Sequence, residues 1–446
     1  MFRTTTFTVV FALAAAAAGA QQSADSLSID QAVALALVNN RSLANSQLQE
    51  TKAEADVATA RSNRMPKFSL DAEASQLLRP VSVNFAEGTF GTYPGVGPIP
   101  STDTKITTPQ QPSFFLSASA AQPLTQLFRL NLNVQLSGKG RELEREAIRA
   151  TRVSLVNDVK RLYYAILQSE SALDASAYTV TRLRELQRVV DDRLVQQAAL
   201  QGDVLDVRAR LAQAEHTRLT LRNTMAAQKE QLNLLMGRDV RTPFQTMGVP
   251  PQTMLEADVE AAQARAIEDR PDVRQARLKV EQAGLAKKIA KAQSIPDLSA
   301  IVSYLSPMNI EGAPRNIATA GVRLEWEPFD WGRRARTEVV RDVEQKQAVN
   351  GLREAQDRAV VEVNTQFRRL EEARSQLRVA GLAQETARET GRVRQAQYVV
   401  RAALLSDVLQ ADSNQADADN QYHQALIALW QARADFERAL GQDVTK

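Results

Sequence analysis

The chain has 446 residues, 55 basic against 52 acidic side chains, aromatics at 5% and no cysteine. Balanced charge of alternating sign argues against a nucleic-acid partner. The absent cysteines exclude disulfides and a lipid-bearing N-terminal cysteine. Long stretches rich in Ala, Gln, Arg, Glu, Leu and Val point to long helices joined by narrow seams, not to a thick globular core.

Met1 to Ala20 reads as a secretory signal, with Arg3, an apolar run from Phe7 to Ala18, and Ala18-Gly19-Ala20 as the cleavage site. A helical pattern then starts at Ser28 to Ala32, with Ser28 or Asp30 as N-cap, and runs to Met65, where Pro66 stops it. Arg41-Ser42-Leu43 marks a break within it. Two alternating segments follow. Phe68, Leu70, Ala72 and Ala74 interleave with Lys67, Ser69, Asp71, Glu73 and Ser75, and Phe114, Leu116, Ala118 and Ala120 interleave with Ser113, Ser117 and Ser119, Phe115 being the exception. A period of two with one polar face predicts half-buried strands, over about 66–79 and 113–124, joined by a Pro-, Gly- and Thr-rich loop from Pro80 to Pro112. Leu155, Val159, Leu162, Ile166, Leu173, Val180, Leu183, Val190 and Leu194 then give a coiled-coil seam in a helix predicted over 126–197. A second helix is predicted over 203–236, closed by Gly237.

The second half repeats this plan. LMGRDV at Leu235–Val240 returns as ALGQDV at Ala439–Val444, and Asp203-Val204-Leu205 returns as Asp407-Val408-Leu409, both 204 positions on. Pro123-Leu124 recurs as Pro328-Phe329, and Arg41-Ser42-Leu43 as Arg270-Pro271-Asp272. The apolar series from Val204 to Leu235 has counterparts from Val408 to Ala439, broken only at Gln415. Strands are expected over about 296–306 and 316–328, joined by a loop from Pro307 to Arg315, and long helices over 330–401 and 406–441. The organisation is therefore a signal at 1–20, a first repeat at 21–240 and a second at 241–446. A duplication this long is a tandem of whole structural units.

Each strand segment runs roughly ten residues, the length a tilted strand needs to cross a bilayer. Four strands cannot close a barrel, and an open sheet edge in lipid leaves backbone groups unpaired, so several chains must share one barrel. Aliphatic faces then meet lipid, and Trp326, Phe329, Trp331, Tyr304 and Phe128 form an aromatic belt at the strand ends. The rival reading is a secreted coiled-coil scaffold whose hairpins never enter lipid.

This order of elements, given twice, together with the Pro-Leu and Pro-Phe steps into the long helices, resembles the TolC-type outer-membrane efflux proteins. The resemblance implies a mainly α fold with transmembrane β structure. Long helical hairpins form a periplasmic tunnel, and four strands per chain build a trimeric twelve-stranded outer-membrane barrel. It implies a homotrimer in outer-membrane lipid that exports small molecules or proteins without a cofactor. Its partners are a periplasmic adaptor and an inner-membrane transporter. Matched position by position, Asp203, Tyr398 and Asp407 fall on residues that close the periplasmic aperture, with Arg401 as a substitute for a gate arginine that is Ala403 here. Gln197, Ala198, Arg401 and Ala402 fall on the tip turns that dock the adaptor, Gln197 and Arg401 standing where relatives have glycine. Asp203 and Asp407 also suit helix N-caps. Asp412, Asp417 and Asp419 read as a solvated face. His216 and His423 have no partners spaced to share a metal, and no catalytic motif is present.

Overall fold

The computed structural model describes residues 25–107, 110–197, 200–249, 258–309, 314, 316–400, 402–403 and 405–442. The signal segment lies outside them. In chain order the elements are β1 (Asp25–Leu27), α1 (Ile29–Asn39), α2 (Arg41–Ser62), β2 (Lys67–Gln76), β3 (Ser82–Phe85), β4 (Thr92–Tyr93), β5 (Gly97–Pro98), β6 (Thr104–Thr107) and β7 (Pro112–Pro123). Then come α3 (Gln126–Val195), α4 (Gln201–Leu235), β8 (Phe244–Thr246), α5 (Val259–Asp269), α6 (Pro271–Ala292), β9 (Asp297–Met308), β10 (Ile317–Glu325), α7 (Arg333–Val399) and α8 (Leu405–Ala439). They sort into two compact units, each drawing on both halves of the sequence.

The first unit combines Met1–Leu43, Arg152–Ala262 and Val363–Lys446. Of the two N-cap candidates, Ser28 wins. Its hydroxyl accepts the Gln31 N–H while the Gln31 side chain accepts the Ser28 N–H, a reciprocal capping box that starts α1. The α3 seam is fully buried at Leu155, Val159, Ile166 and Val180, but Leu183, Val190 and Leu194 are only half-buried, so the packing thins towards the end of the hairpin. Tyr163 ties this unit together. Its hydroxyl accepts the Met247 N–H at 2.8 Å and lies 2.7 Å from the Leu27 carbonyl, beside the parallel β1–β8 pair. Burial pushes that phenol up to about 12, so it stays a protonated donor. Lys160 pairs with Glu437 at 2.8 Å, and Tyr164 packs against Trp430.

The repeated LMGRDV and ALGQDV motifs are helix stops. Gly237 and Gly441 hold φ of 69° and 68°, one residue past the C-caps of α4 and α8. The Arg238 N–H returns to the Asn233 carbonyl at 3.1 Å, and the Gln442 N–H to Glu437 at 3.4 Å, the closure of a Schellman turn. A Cβ on Gly237 would meet the Asn39 carbonyl oxygen at 2.1 Å, so only glycine fits there. The duplicated apolar series is buried at Ala411, Ala418, Ala425, Leu429, Phe436 and Ala439. Its one polar break, Gln415, lies against the bare backbone face of Gly391.

The second unit combines Ala44–Thr151 and Gln263–Glu362. Its centre is a four-stranded antiparallel sheet in the order β10-β9-β7-β2. The register sets Phe68, Ala120, Val302 and Ala320 in one row and Leu70, Ala118, Tyr304 and Ala318 in another, all on the apolar face. On the other face Ser69, Ser119, Ser303 and Thr319 share a row, bonded in pairs at 2.8 and 2.7 Å. The helical part packs Val273, Ala355 and Ala359 together and is laced by Arg145–Glu50, Lys139–Glu281 and Lys287–Asp342 ion pairs.

Three local expectations need correction. The segment 80–112 is not plain loop. It carries two small antiparallel sheets, β3 with β6 and β4 with β5, whose strands of two to four residues are too short to show a period. Pro307 belongs to β9, opposite Phe115, instead of opening the second loop. Tyr304 sits within β9, not at its end, and its hydroxyl donates to Asn316 at 2.6 Å.

Candidate functional site

Two features of the chain expose surface that packing inside it does not explain. These are the sheet of the second unit and the helical hairpin ends of the first.

On the sheet, the hydrophobic effect should hide large apolar side chains, yet Phe68 is 80% exposed, Leu70 72% and Val322 72%. Leu324, Val302 and Trp326 are exposed beside them. An apolar face of this extent on a sheet is an interaction surface. Among the described residues both outer strands, β2 and β10, pair on one side only, leaving a row of backbone donors and acceptors open. Beyond β10, Phe329 and Trp331 stack edge to face at 4.7 Å and remain exposed, and Phe128 is exposed at the start of α3. Among the described residues no helix is long and apolar enough to cross a membrane.

At the first hairpin end, α3 closes with the Gln197 N–H on the Leu194 carbonyl at 3.0 Å. Gln197 holds φ of 56°, the left-handed region where glycine is at ease, and carries that cost, about 1 kcal/mol, with a side chain. Ala198 lies outside the described residues. Leu200 is the N-cap of α4 and has no side-chain acceptor; Asp203, at the third helical position, reaches back to its N–H at 3.1 Å. Asp203 is therefore not the N-cap. It supplies half of a capping box, and its charge sits in the first turn, where the helix dipole favours it.

At the second end, the Ala402 N–H bonds the Gln397 carbonyl at 2.8 Å, a bond reaching five residues back where Gln197 reaches three, and Ala402 is exposed. Arg401 and the side chain of Tyr398 lie outside the described residues, so the Tyr398–Asp203 contact does too. Asp407 is exposed in the first turn of α8. The two tip carboxylates thus occupy matching places at the starts of α4 and α8.

A groove of about 460 Å³ beside this end is not evident from the sequence. Tyr178 and Leu186 of α3 and Val207 of α4 give it an apolar floor, with Arg182, Arg210 and Asp417 around it. Helical spacing alone does not reveal it, because its walls come from three helices, α8 being distant in sequence from α3 and α4. Asp419 is no simple solvated residue: it accepts from Arg388 at 2.9 Å and Gln384 at 2.7 Å, clamping α8 to α7. His216 and His423 are exposed, and the described residues hold no cluster of potential metal ligands.

The family model "outer membrane efflux protein" matches residues 32–238 and 262–442. Among curated proteins no sequence match is found. Among solved structures, a membrane protein from Pseudomonas aeruginosa is 18% identical, with a TM-score of 0.74 over 92% of this chain and 93% of that one. The Campylobacter jejuni CmeC outer membrane channel is 16% identical, with a TM-score of 0.75 over 93% and 85%. The outer membrane protein VceC from Vibrio cholerae is 15% identical, with a TM-score of 0.70 over 93% and 96%. At these identities the likeness speaks for the fold, which is the duplicated one read above.

Proposed function

The chain belongs to the outer membrane efflux protein family and is an outer-membrane efflux channel, and from that premise we propose that it works as the passive outer duct of a tripartite pump. A periplasmic adaptor and an inner-membrane transporter supply the other two parts, and the transporter supplies the energy. The cargo is small toxic molecules, drugs among them, or exported protein. The observation that carries the reading is the uncovered apolar sheet face between two open strand edges. Lipid satisfies the face, and further copies satisfy the edges. We propose three copies, giving twelve strands, each copy built from the repeats at 21–240 and 241–446.

The hairpin ends are the proposed aperture. A ring of Asp407, one from each copy, places carboxylates about a common axis, which attracts cations and repels anions. Asp203, Tyr398 and Arg401 complete the gate, and the turns at Gln197, Ala198, Arg401 and Ala402 meet the adaptor. Single-channel recording in planar bilayers tests this reading. The wild-type protein conducts with cation preference, and Asp407→Asn raises anion conductance. Unchanged selectivity removes Asp407 from the aperture, and absence of any conductance overturns the duct.

A further inference from the structure

The chain's two open strand edges carry complementary charges. β10 presents Arg323 and Glu325 on the polar face, while β2 presents Lys67, Asp71 and Glu73. Asp71 and Arg323 make no ion pair among the described residues. Resting on the barrel reading above, we propose that β10 of one copy pairs antiparallel with β2 of the next in a single register, with Arg323 opposite Asp71 and Thr319 opposite Ser75.

Strand direction comes first. In the order β10-β9-β7-β2 every neighbour is antiparallel, so β10 and the next copy's β2 also run oppositely. Polar face must meet polar face, which restricts the stagger to even numbers of residues, because a one-residue slip turns every side chain over. Within one copy Thr319 shares a row with Ser69. Continuing that row unshifted into the next copy would give strands parallel to the barrel axis, whereas closed barrels need tilted strands and therefore a stagger. Four strands roughly 4.8 Å apart, rising about 3.3 Å per residue, tilt by about 19°, 35°, 46° or 54° for staggers of about two, four, six or eight residues per copy. Membrane barrels tilt by roughly 35–45°. The number of copies does not enter.

Side chains make the same selection. A stagger of two sets Arg323 opposite Lys67, a like-charge pair that destabilises a ladder. One of eight offsets its Arg323–Glu73 pair with the like-charge pair Glu325–Asp71, and its tilt of about 54° lies outside the membrane-barrel range. Four sets Lys67 opposite Glu325 but leaves Arg323 facing Ser69 and Ile317 facing Ser75. Six sets Arg323 opposite Asp71, Thr319 opposite Ser75, and Leu324 opposite Leu70. Carried past the end of β10, it also sets Phe68 opposite Trp326 and Lys67 opposite Glu327. The Thr319–Ser75 pair repeats the hydroxyl pairing found inside the copy at Ser69–Ser119 and Ser303–Thr319. A stagger in the opposite sense carries β10 past Lys67, the first residue of β2, and leaves most of its edge unpaired. The ion pair at the seam is therefore specific to neighbouring copies.

Because the chain has no cysteine, the register can be read by disulfide formation on an unmodified background. Directly opposed residues bring their Cβ atoms to roughly 4.5–5.5 Å, while diagonal ones stay about 7 Å apart, beyond disulfide reach. Under mild oxidation Ser75→Cys/Thr319→Cys gives a covalent oligomer in denaturing gels, and Glu73→Cys/Thr319→Cys does not. Asp71→Arg and Arg323→Asp each lower the oligomer yield, and the double charge reversal restores it. Crosslinking through the Glu73 variant, or through neither variant while the reduced protein is oligomeric, overturns the register and leaves shared closure standing. A reduced double-cysteine protein and a wild type that are both monomeric in detergent overturn the barrel reading itself.

Discussion

One residue joins α1 to α2, and one joins α5 to α6: Asn40 in the first repeat, Arg270 in the second. Both are nearly buried, at 8% and 9% exposure. Asn40 works with a neutral amide. Its side-chain oxygen accepts the Ser42 and Leu43 N–H groups at 2.9 and 3.1 Å, and its nitrogen donates to the Leu235 carbonyl at 2.8 Å. Arg270 works with charge. Its guanidinium grips both oxygens of Asp272, at 3.0 and 2.9 Å, and reaches Glu362 at 2.8 Å. Pro271 stands at the first position of α6, where a missing N–H costs nothing. The duplicated bend keeps its geometry while its chemistry diverges. The first version has no titrating group, and the second depends on the Asp272 carboxylate staying ionised.

The largest effect is expected where the first bend meets the end of α4. Gly237→Ala adds the left-handed penalty to a clash with the Asn39 carbonyl, about 3–4 kcal/mol together. It should abolish assembly or lower the midpoint of thermal unfolding more than any other single change discussed. Next comes Arg270→Met, which strands Asp272 and Glu362. Breaking a buried pair costs several kcal/mol, but Asp272 is half exposed, so about 2 kcal/mol is expected. Asn40→Ala removes a cap worth about 1 kcal/mol together with the bond to Leu235. If Asn40→Ala proves costlier than Arg270→Met in denaturant titration, the ranking of the two bends is wrong.

A subtler separation comes from pH. Desolvation pulls the Asp272 carboxyl upward, but the hydrogen bonds and charge of Arg270 outweigh it and hold the group below its ordinary value. A depressed folded pKa contributes stability that is complete above the unfolded value, about 3.9, and is lost as pH falls through the lower folded one. Acid should therefore loosen the second bend and spare the first. Hydrogen exchange read on peptides covering 271–273 and 41–43 should show that contrast below about pH 4. Equal loosening of both would contradict it.

The same pair shows what the sequence makes legible. Apolar period, proline stops and the repeated glycine motif locate the long helices, because each reflects backbone physics that acts locally. The bends are misaligned by one residue: Arg41 invites pairing with Arg270, whereas the structure equates Arg270 with Asn40, since identity of residue type is weaker than identity of place. Asp203 reads as an N-cap by composition, yet the extended backbone at Leu200 starts α4 three residues earlier. Short sheets within 80–112 carry no pattern long enough to detect, and the groove at Tyr178 needs three helices to exist. Of the proposed aperture residues, Asp203 and Asp407 are matched to each other by the duplication, while the gating role of all four, Tyr398 and Arg401 included, comes only from resemblance.

Everything rests on several copies closing one barrel around faces that a lone chain leaves bare. Multi-angle light scattering of the detergent-purified protein, corrected for bound detergent, measures this directly. The expected protein mass is that of three chains, each close to 49.1 kDa before removal of any signal segment. A mass of one chain, stable without detergent, would contradict it.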